Sequence, residues 1–200
     1  MEFVVRPVGQ LRANAYVLFQ PERADALVID PGGEPEAIKA AAGGRRLAGI
    51  VLTHGHFDHV DAVSALRGPD VPVYIHEEDA GMLTDPERSY AKGNGGVENH
   101  GAPDVLLRDG EHIEIAGVPL EVMHTPGHTP GSICLLNGQD LFSGDTLFRE
   151  AYGRLDLAGG SMEAMRKSLR RLFTLDGSLK VHPGHGESTT IAEERRRYSL

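Results

Sequence analysis

Residues 53–59 read Thr53-His54-Gly55-His56-Phe57-Asp58-His59 and follow directly on the apolar run Ile50-Val51-Leu52. His54 and His56 are two apart, so in extended chain they point the same way. Asp58 and His59 come where a helix begins. If each specified residue type has a chance of roughly one in twenty, an H-x-H-x-D-H string arises by accident about once in a thousand chains of this length. Three more polar groups obey the same rule, each lying just past an apolar strand-like run. They are His124-Thr125-Pro126-Gly127-His128-Thr129, Ser143-Gly144-Asp145-Thr146 and His182-Pro183-Gly184-His185-Gly186. Functional groups collect where loops converge at strand ends. The fold therefore has to bring these four strand ends together.

Ten histidines stand beside only twenty Lys and Arg residues and one cysteine. Imidazole and carboxylate together suit zinc, iron or manganese. Cys134 lies in the apolar run Ser132–Leu136 and reads as a buried thiol. A Cys-rich structural zinc site is therefore excluded, as is any internal disulfide, and a catalytic site with an open position is what remains. The net charge of −9 opposes a polyanion as main partner, so no nucleic acid is expected. No run approaches the ~18 apolar residues of a membrane span, so no membrane partner is expected. Met1–Arg6 lacks a charged stretch followed by an apolar one, which leaves the cytoplasm as the expected location.

Strands are predicted over 3–8, 15–19, 26–29, 47–52, 71–75, 105–107, 112–115, 120–124, 132–136, 141–143 and 179–182. Helices are predicted over 34–42, 58–66 and 161–175, with a short arginine-rich helix at the end. In the third helix Met162, Met165, Leu169, Leu172 and Phe173 fall at helical spacing and read as a core-facing stripe. Asp30-Pro31-Gly32-Gly33 reads as a turn. Residues 85–103 are rich in Gly and Asn without apolar period, a loop of functional length. No linker interrupts the pattern, and a single domain over 1–200 is expected, with sheets inside and helices outside.

The ordered set H-x-H-x-D-H, H-T-P-G-H-T, S-G-D-T and P-G-H-G resembles the metallo-β-lactamase superfamily. Gly144–Phe148, followed by Gly153-Arg154-Leu155-Asp156, looks most like its glyoxalase II (hydroxyacylglutathione hydrolase) branch, in a form without the extra helical domain of full-length enzymes. The resemblance runs from Asn14 to His185. It implies an α+β fold: a four-layer αββα sandwich, two mixed β-sheets flanked by helices, with the metals at one edge. It further implies that His54, His56 and His128 bind one metal, that Asp58, His59 and His185 bind a second, and that Asp145 bridges them. The cofactors would be two divalent ions, zinc first, with iron or manganese as alternatives. Two ions sharing a carboxylate stand roughly 3.5–4 Å apart and generate a hydroxide that attacks a carbonyl. Asp58 then takes part as a ligand at the catalytic centre, and no separate protein base is required.

The reaction implied is hydrolysis of a small-molecule thioester such as S-lactoylglutathione, by a monomer or small homo-oligomer. Arg154 and Tyr152 are the candidates to hold a substrate carboxylate or amide. One alternative is an iron-dependent persulfide dioxygenase, in which His54, His56 or His128 and Asp145 hold one iron while Asp58, His59 and His185 stand behind it. A lactonase and a non-enzymatic metal-binding module are others. His124 and His182 match no ligand position and read as supporting or packing residues. His76 reads as a helix-entry residue, His112 as a surface strand residue, and His100 as a loop residue that can face substrate. Arg195-Arg196-Arg197 reads as a solvated helix end.

Overall fold

Apolar side chains at consecutive positions of the early strands fall on both faces and need cover on each, and two sheets with outer helices provide it. The computed structural model describes residues 1–198. The first sheet holds β1 (Glu2–Val8), β2 (Ala13–Phe19), β3 (Asp25–Ile29), β4 (Arg46–Val51), β5 (Val73–His76) and β6 (Val105–Leu107), side by side in that order. Strands β1 to β3 run antiparallel and β3 to β6 parallel. The second sheet holds β7 (His112–Ile115), β8 (Val118–His124), β9 (Ile133–Asn137), β10 (Asp140–Gly144), β11 (Lys180–Pro183) and β12 (Thr189–Thr190), again in chain order. Its strands are antiparallel except for the parallel pair β10–β11.

The alternation along β2 sorts the layers. Tyr16 and Leu18 face the other sheet and pack with Leu27, Ile29, Leu120, Val122, Ile133, Leu135 and Phe142. Ala15 and Val17 face outward, toward Ile38 of α1 (Pro35–Ala41) and Val63 and Leu66 of α3 (Val63–Leu66). On the far side Met165, Leu169 and Leu172 of α4 (Met162–Leu172) cover Cys134, Leu141 and Val181. The expected αββα sandwich is thus the observed one. Met165, Leu169 and Leu172 of the expected stripe face the core and Phe173 packs against it, but Met162, at the first position of α4, is exposed.

The helix expected over 58–66 is two short pieces, α2 (Phe57–Val60) and α3. The Ala62 amide leaves the helical pattern and donates to the Pro31 carbonyl at 2.9 Å. That tertiary bond competes with the continuing turn and wins. The strand expected over 71–75 begins at Val73, with Val71 only in an isolated bridge to Gly68. A 3-10 turn over Ala80–Leu83 leads into the irregular segment that ends at β6. The closing helix, α5 (Ile191–Arg195), is followed by exposed Arg196 and Arg197.

Candidate metal centre

Four strand ends meet at one edge of the sandwich. The ends of β4 and β8 carry His54, His56 and His128, whose nitrogens lie within 4.8 Å of one another. His56 Nδ1 stands 2.8 Å from His128 Nε2. A second group joins Asp58 and His59 on α2 to His185 past β11. His185 Nε2 lies 3.2 Å from Asp58 Oδ2 and 3.3 Å from His59 Nε2. Asp145, at the end of β10, reaches both groups. Its Oδ1 is 3.4 Å from His59 Nε2, and its Oδ2 is 3.6 Å from His128 Nε2 and 3.7 Å from His185 Nε2. The seven side chains singled out in the sequence are therefore in one place, and each group draws on both sheets.

These side chains suit a pair of cations. Two atoms each about 2.1 Å from a tetrahedral ion stand about 3.4 Å apart, which is the spacing found around Asp145. His54 Nε2 and Asp145 Oδ1 are buried without a hydrogen-bond partner, an arrangement costly for a polar atom unless a cation satisfies it. Burial, reinforced by the other histidines, holds His54 well below the usual imidazole range, so its lone pair is free. Burial and His128 likewise bring His56 down to about 3. At the other group burial opposes charge on His59, but Asp58, Asp145 and Asp30 outweigh it and raise His59 to about 10. Burial pushes the Asp58 carboxyl up, yet His59 and His185 leave it well below the usual carboxylate range. One end thus offers neutral nitrogens, and the other offers carboxylates that demand positive charge.

A surrounding layer aims the ligand atoms. The Asp30 carboxylate accepts from His59 Nδ1 (3.0 Å), from the Thr53 amide (2.7 Å) and from the Thr53 hydroxyl (2.6 Å). The His128 Nδ1–H donates to the Arg154 carbonyl at 2.8 Å, which leaves Nε2 for the site. Asn14 donates through its side chain to Pro183 O and Gly186 O, both at 3.0 Å, and Tyr16 donates to Pro183 O at 2.7 Å. Together they fix the loop that carries His185. Gly184 in that loop touches Asp145: a Cβ there would stand 2.1 Å from Oδ1. Asp30 obeys the strand-end rule, since it follows Ala26–Ile29, but Asp-Pro-Gly-Gly reads first as a turn.

A cleft of about 660 Å³ opens above the groups, with His56, Asp58, His128, Asp145 and His185 among its lining residues. Tyr152 and Arg154 line it as well, and so do Leu11, Tyr90 and Phe148, which sequence reasoning did not single out. The Arg154 guanidinium is engaged by Asp156 at 2.8 and 2.7 Å. His100 does not reach the cleft. It is buried, with Nδ1 3.0 Å from Ser64 Oγ of α3, because its own amide is drawn to the Leu83 carbonyl. His124 bonds Pro130 O through Nε2 at 2.8 Å and stacks on His76, ring centroids 4.0 Å apart. His182 bridges Asp140 and Ser188 at 2.8 and 2.9 Å. These two pack and support, as expected, and His112 is an exposed strand residue. Cys134 is buried, which raises its thiol to about 11 and makes it a poor nucleophile.

The family model for the metallo-beta-lactamase superfamily matches residues 8–185, the span that holds every one of these loops. The chain belongs to the metallo-β-lactamase superfamily. Among relatives of this superfamily, the chain is 31% identical to the hydroxyacylglutathione hydrolase GloC of Haemophilus influenzae, over 98% of this chain and 96% of that one. The structure of TTHA1623 in a di-iron-bound form superposes with a TM-score of 0.86 at 37% identity, covering 100% of this chain and 99% of that one. ETHE1 from Myxococcus xanthus gives 0.82 at 29% identity, with 98% and 82% covered. The BLEG-1 B3 metallo-beta-lactamase gives 0.91 at 35% identity, with 98% and 97% covered. Within the superfamily, then, proteins with quite different names share this fold. No helix among the described residues is long and apolar enough to cross a membrane.

Proposed function

We propose that this protein hydrolyses acyl thioesters at a dimetal centre, with S-lactoylglutathione as a substrate, in the manner of glyoxalase II. The observation that carries this reading is the open cleft above the paired groups, which gives a small substrate access to Asp145 and the ligands around it. A non-enzymatic module needs no such opening. The likeness to the Haemophilus hydroxyacylglutathione hydrolase along nearly the whole chain supports the choice of thioester. Zinc is the first choice of metal, and iron follows because TTHA1623 holds a di-iron pair. The protein is taken to act in the cytoplasm as a single domain, alone or as a small homo-oligomer, without nucleic acid or membrane.

When bound, the two ions supply Lewis acidity and a nucleophile at neutral pH. The chain's own groups arrange the rest. Asp145 spans both groups and sets their spacing. Asp58 stays ionised beside His185 and holds that side of the centre at the cleft floor. Arg154 sits at the cleft with its guanidinium in an exposed pair with Asp156, a pair weak enough to be exchanged for a substrate carboxylate. Tyr152 lies beside it to meet an amide. Arg154→Ala is expected to raise KM more than it lowers kcat, the mark of lost ground-state binding.

The likeness to ETHE1 favours a second reading, an iron-dependent persulfide dioxygenase in which His54, His56 or His128 and Asp145 hold one iron. Metal analysis of protein purified without added metal separates the two, since two ions per chain fit the hydrolase and one iron fits the dioxygenase. Thioester loss and oxygen uptake with glutathione persulfide are then followed in parallel. Oxygen consumption without thioester cleavage in metal-restored protein would overturn the hydrolase reading.

A further inference from the structure

Asp79 is fully buried and lies outside the ligand groups, between the two loops that supply the three-histidine group. Its Oδ2 accepts from the Gly55 amide at 3.2 Å and from the Thr129 hydroxyl at 2.6 Å. Its Oδ1 accepts from the Gly131 amide at 2.7 Å. Gly55 is the residue between His54 and His56, and Thr129 follows His128. One carboxylate therefore ties the loop after β4, in the first sheet, to the loop after β8, in the second. Gly131 lies so close that a Cβ would stand 2.6 Å from the Asp79 amide nitrogen. A buried carboxylate is costly, and burial does push this one up against its three donors. An apolar residue would fill the same space without that cost, but it could not bind three donors from two sheets.

We propose that Asp79 is a positioning residue for metal: it fixes the distance between the His54/His56 loop and the His128 loop, and so sets the affinity of the three-histidine group. The proposal rests on the reading of that group as a metal site. Asp79 touches no ligand atom and acts through the Gly55 and Gly131 amides and the Thr129 hydroxyl beside the ligands. Asp79→Asn keeps the shape but turns one acceptor into a donor. It then faces either the Gly131 amide or the Gly55 amide, donor against donor, and only the Thr129 hydroxyl can turn to accept. Partners that orient metal ligands typically carry 10- to 100-fold in affinity, and a loss of about that size is expected for one of the two ions.

The test titrates metal-free full-length protein, wild type and Asp79→Asn, with zinc against a chromophoric chelator, and records the cobalt(II) absorption spectrum. Circular dichroism checks that the variant folds. Selective weakening of one ion with an altered cobalt spectrum is the expected result. A residue that served only the fold would lower the Tm of metal-free and metal-loaded protein alike and leave affinity untouched. Folded Asp79→Asn with wild-type zinc affinity and spectrum overturns the proposal. If Asp79→Asn does not fold, Thr129→Val decides, because it removes one donor and keeps the carboxylate; unchanged affinity there also overturns it. Wild-type protein that binds no metal would instead refute the metal reading itself.

Discussion

Asp30→Asn is the substitution whose outcome the geometry specifies most fully. Asp30 sits at φ +50°, a region that asparagine tolerates as well as aspartate, so the backbone is not disturbed. Only the charge and one acceptor change. In one amide orientation the new NH2 faces the Thr53 amide, donor against donor. In the other it faces His59 Nδ1, and the ring can accept only by moving its proton to Nε2. That nitrogen is the one 3.3 Å from His185 and 3.4 Å from Asp145. The second orientation is the one expected, because an imidazole can shift its proton and the Thr53 amide cannot, and there His59 is no longer aimed as a ligand. Hydrogen bonds to a charged group carry about 1.5–3 kcal/mol each, so losing one buried bond should cost about 2–3 kcal/mol. For a chain of this length that is roughly 5–10 °C in Tm. Affinity for the ion between Asp58, His59 and His185 should fall about 10- to 100-fold, while the three-histidine group keeps its own. Zinc titration against a competing chelator reads both ions. Wild-type affinity for both in folded Asp30→Asn would refute the tautomer argument.

Asp145→Ala should lose metal as well as rate, because both groups share that carboxylate, whereas His124→Ala should keep its full metal content; elemental analysis of the two purified variants distinguishes them. Phe142→Ala removes a fully buried ring that packs edge-on against Phe3 and Tyr16 between the sheets. It should destabilise the fold by about 3–5 kcal/mol without changing which residues bind metal, as urea melts and metal counts would show.

The metal-binding loops were legible because their side chains are chemically rare and each follows an apolar strand. The same rule covers Asp30, but a Pro-Gly-Gly sequence after it looks like a turn and hides the carboxylate's second task. Asp79 was hidden differently. It ends the acidic run Glu77-Glu78-Asp79, and only the fold shows that the first two carboxylates stay exposed while the third turns inward. Asn14 carries no local signal at all, since its partners Pro183 and Gly186 lie about 170 residues away. The break between α2 and α3 has the same origin, a carbonyl on Pro31 that sequence periodicity cannot weigh. From sequence His100 reads as a loop residue that can face substrate, but a neighbouring serine on α3 and the Leu83 carbonyl pull it inside. Local chemistry survives in the sequence, and bonds made across the sandwich do not.

Each cation group takes side chains from both sheets, across spans of 72 residues between His56 and His128 and 126 between His59 and His185. An ion held there closes loops of that length, as a disulfide would, except that the closure is reversible and answers to metal supply. Because the ion binds the folded chain and leaves the unfolded one, it acts by mass action and not, as a disulfide does, by constraining the open chain. With metal held as proposed, free metal concentration would set how firmly the two halves of the sandwich are joined at this edge, and the protein's resistance to unfolding would become a record of the metal available to it.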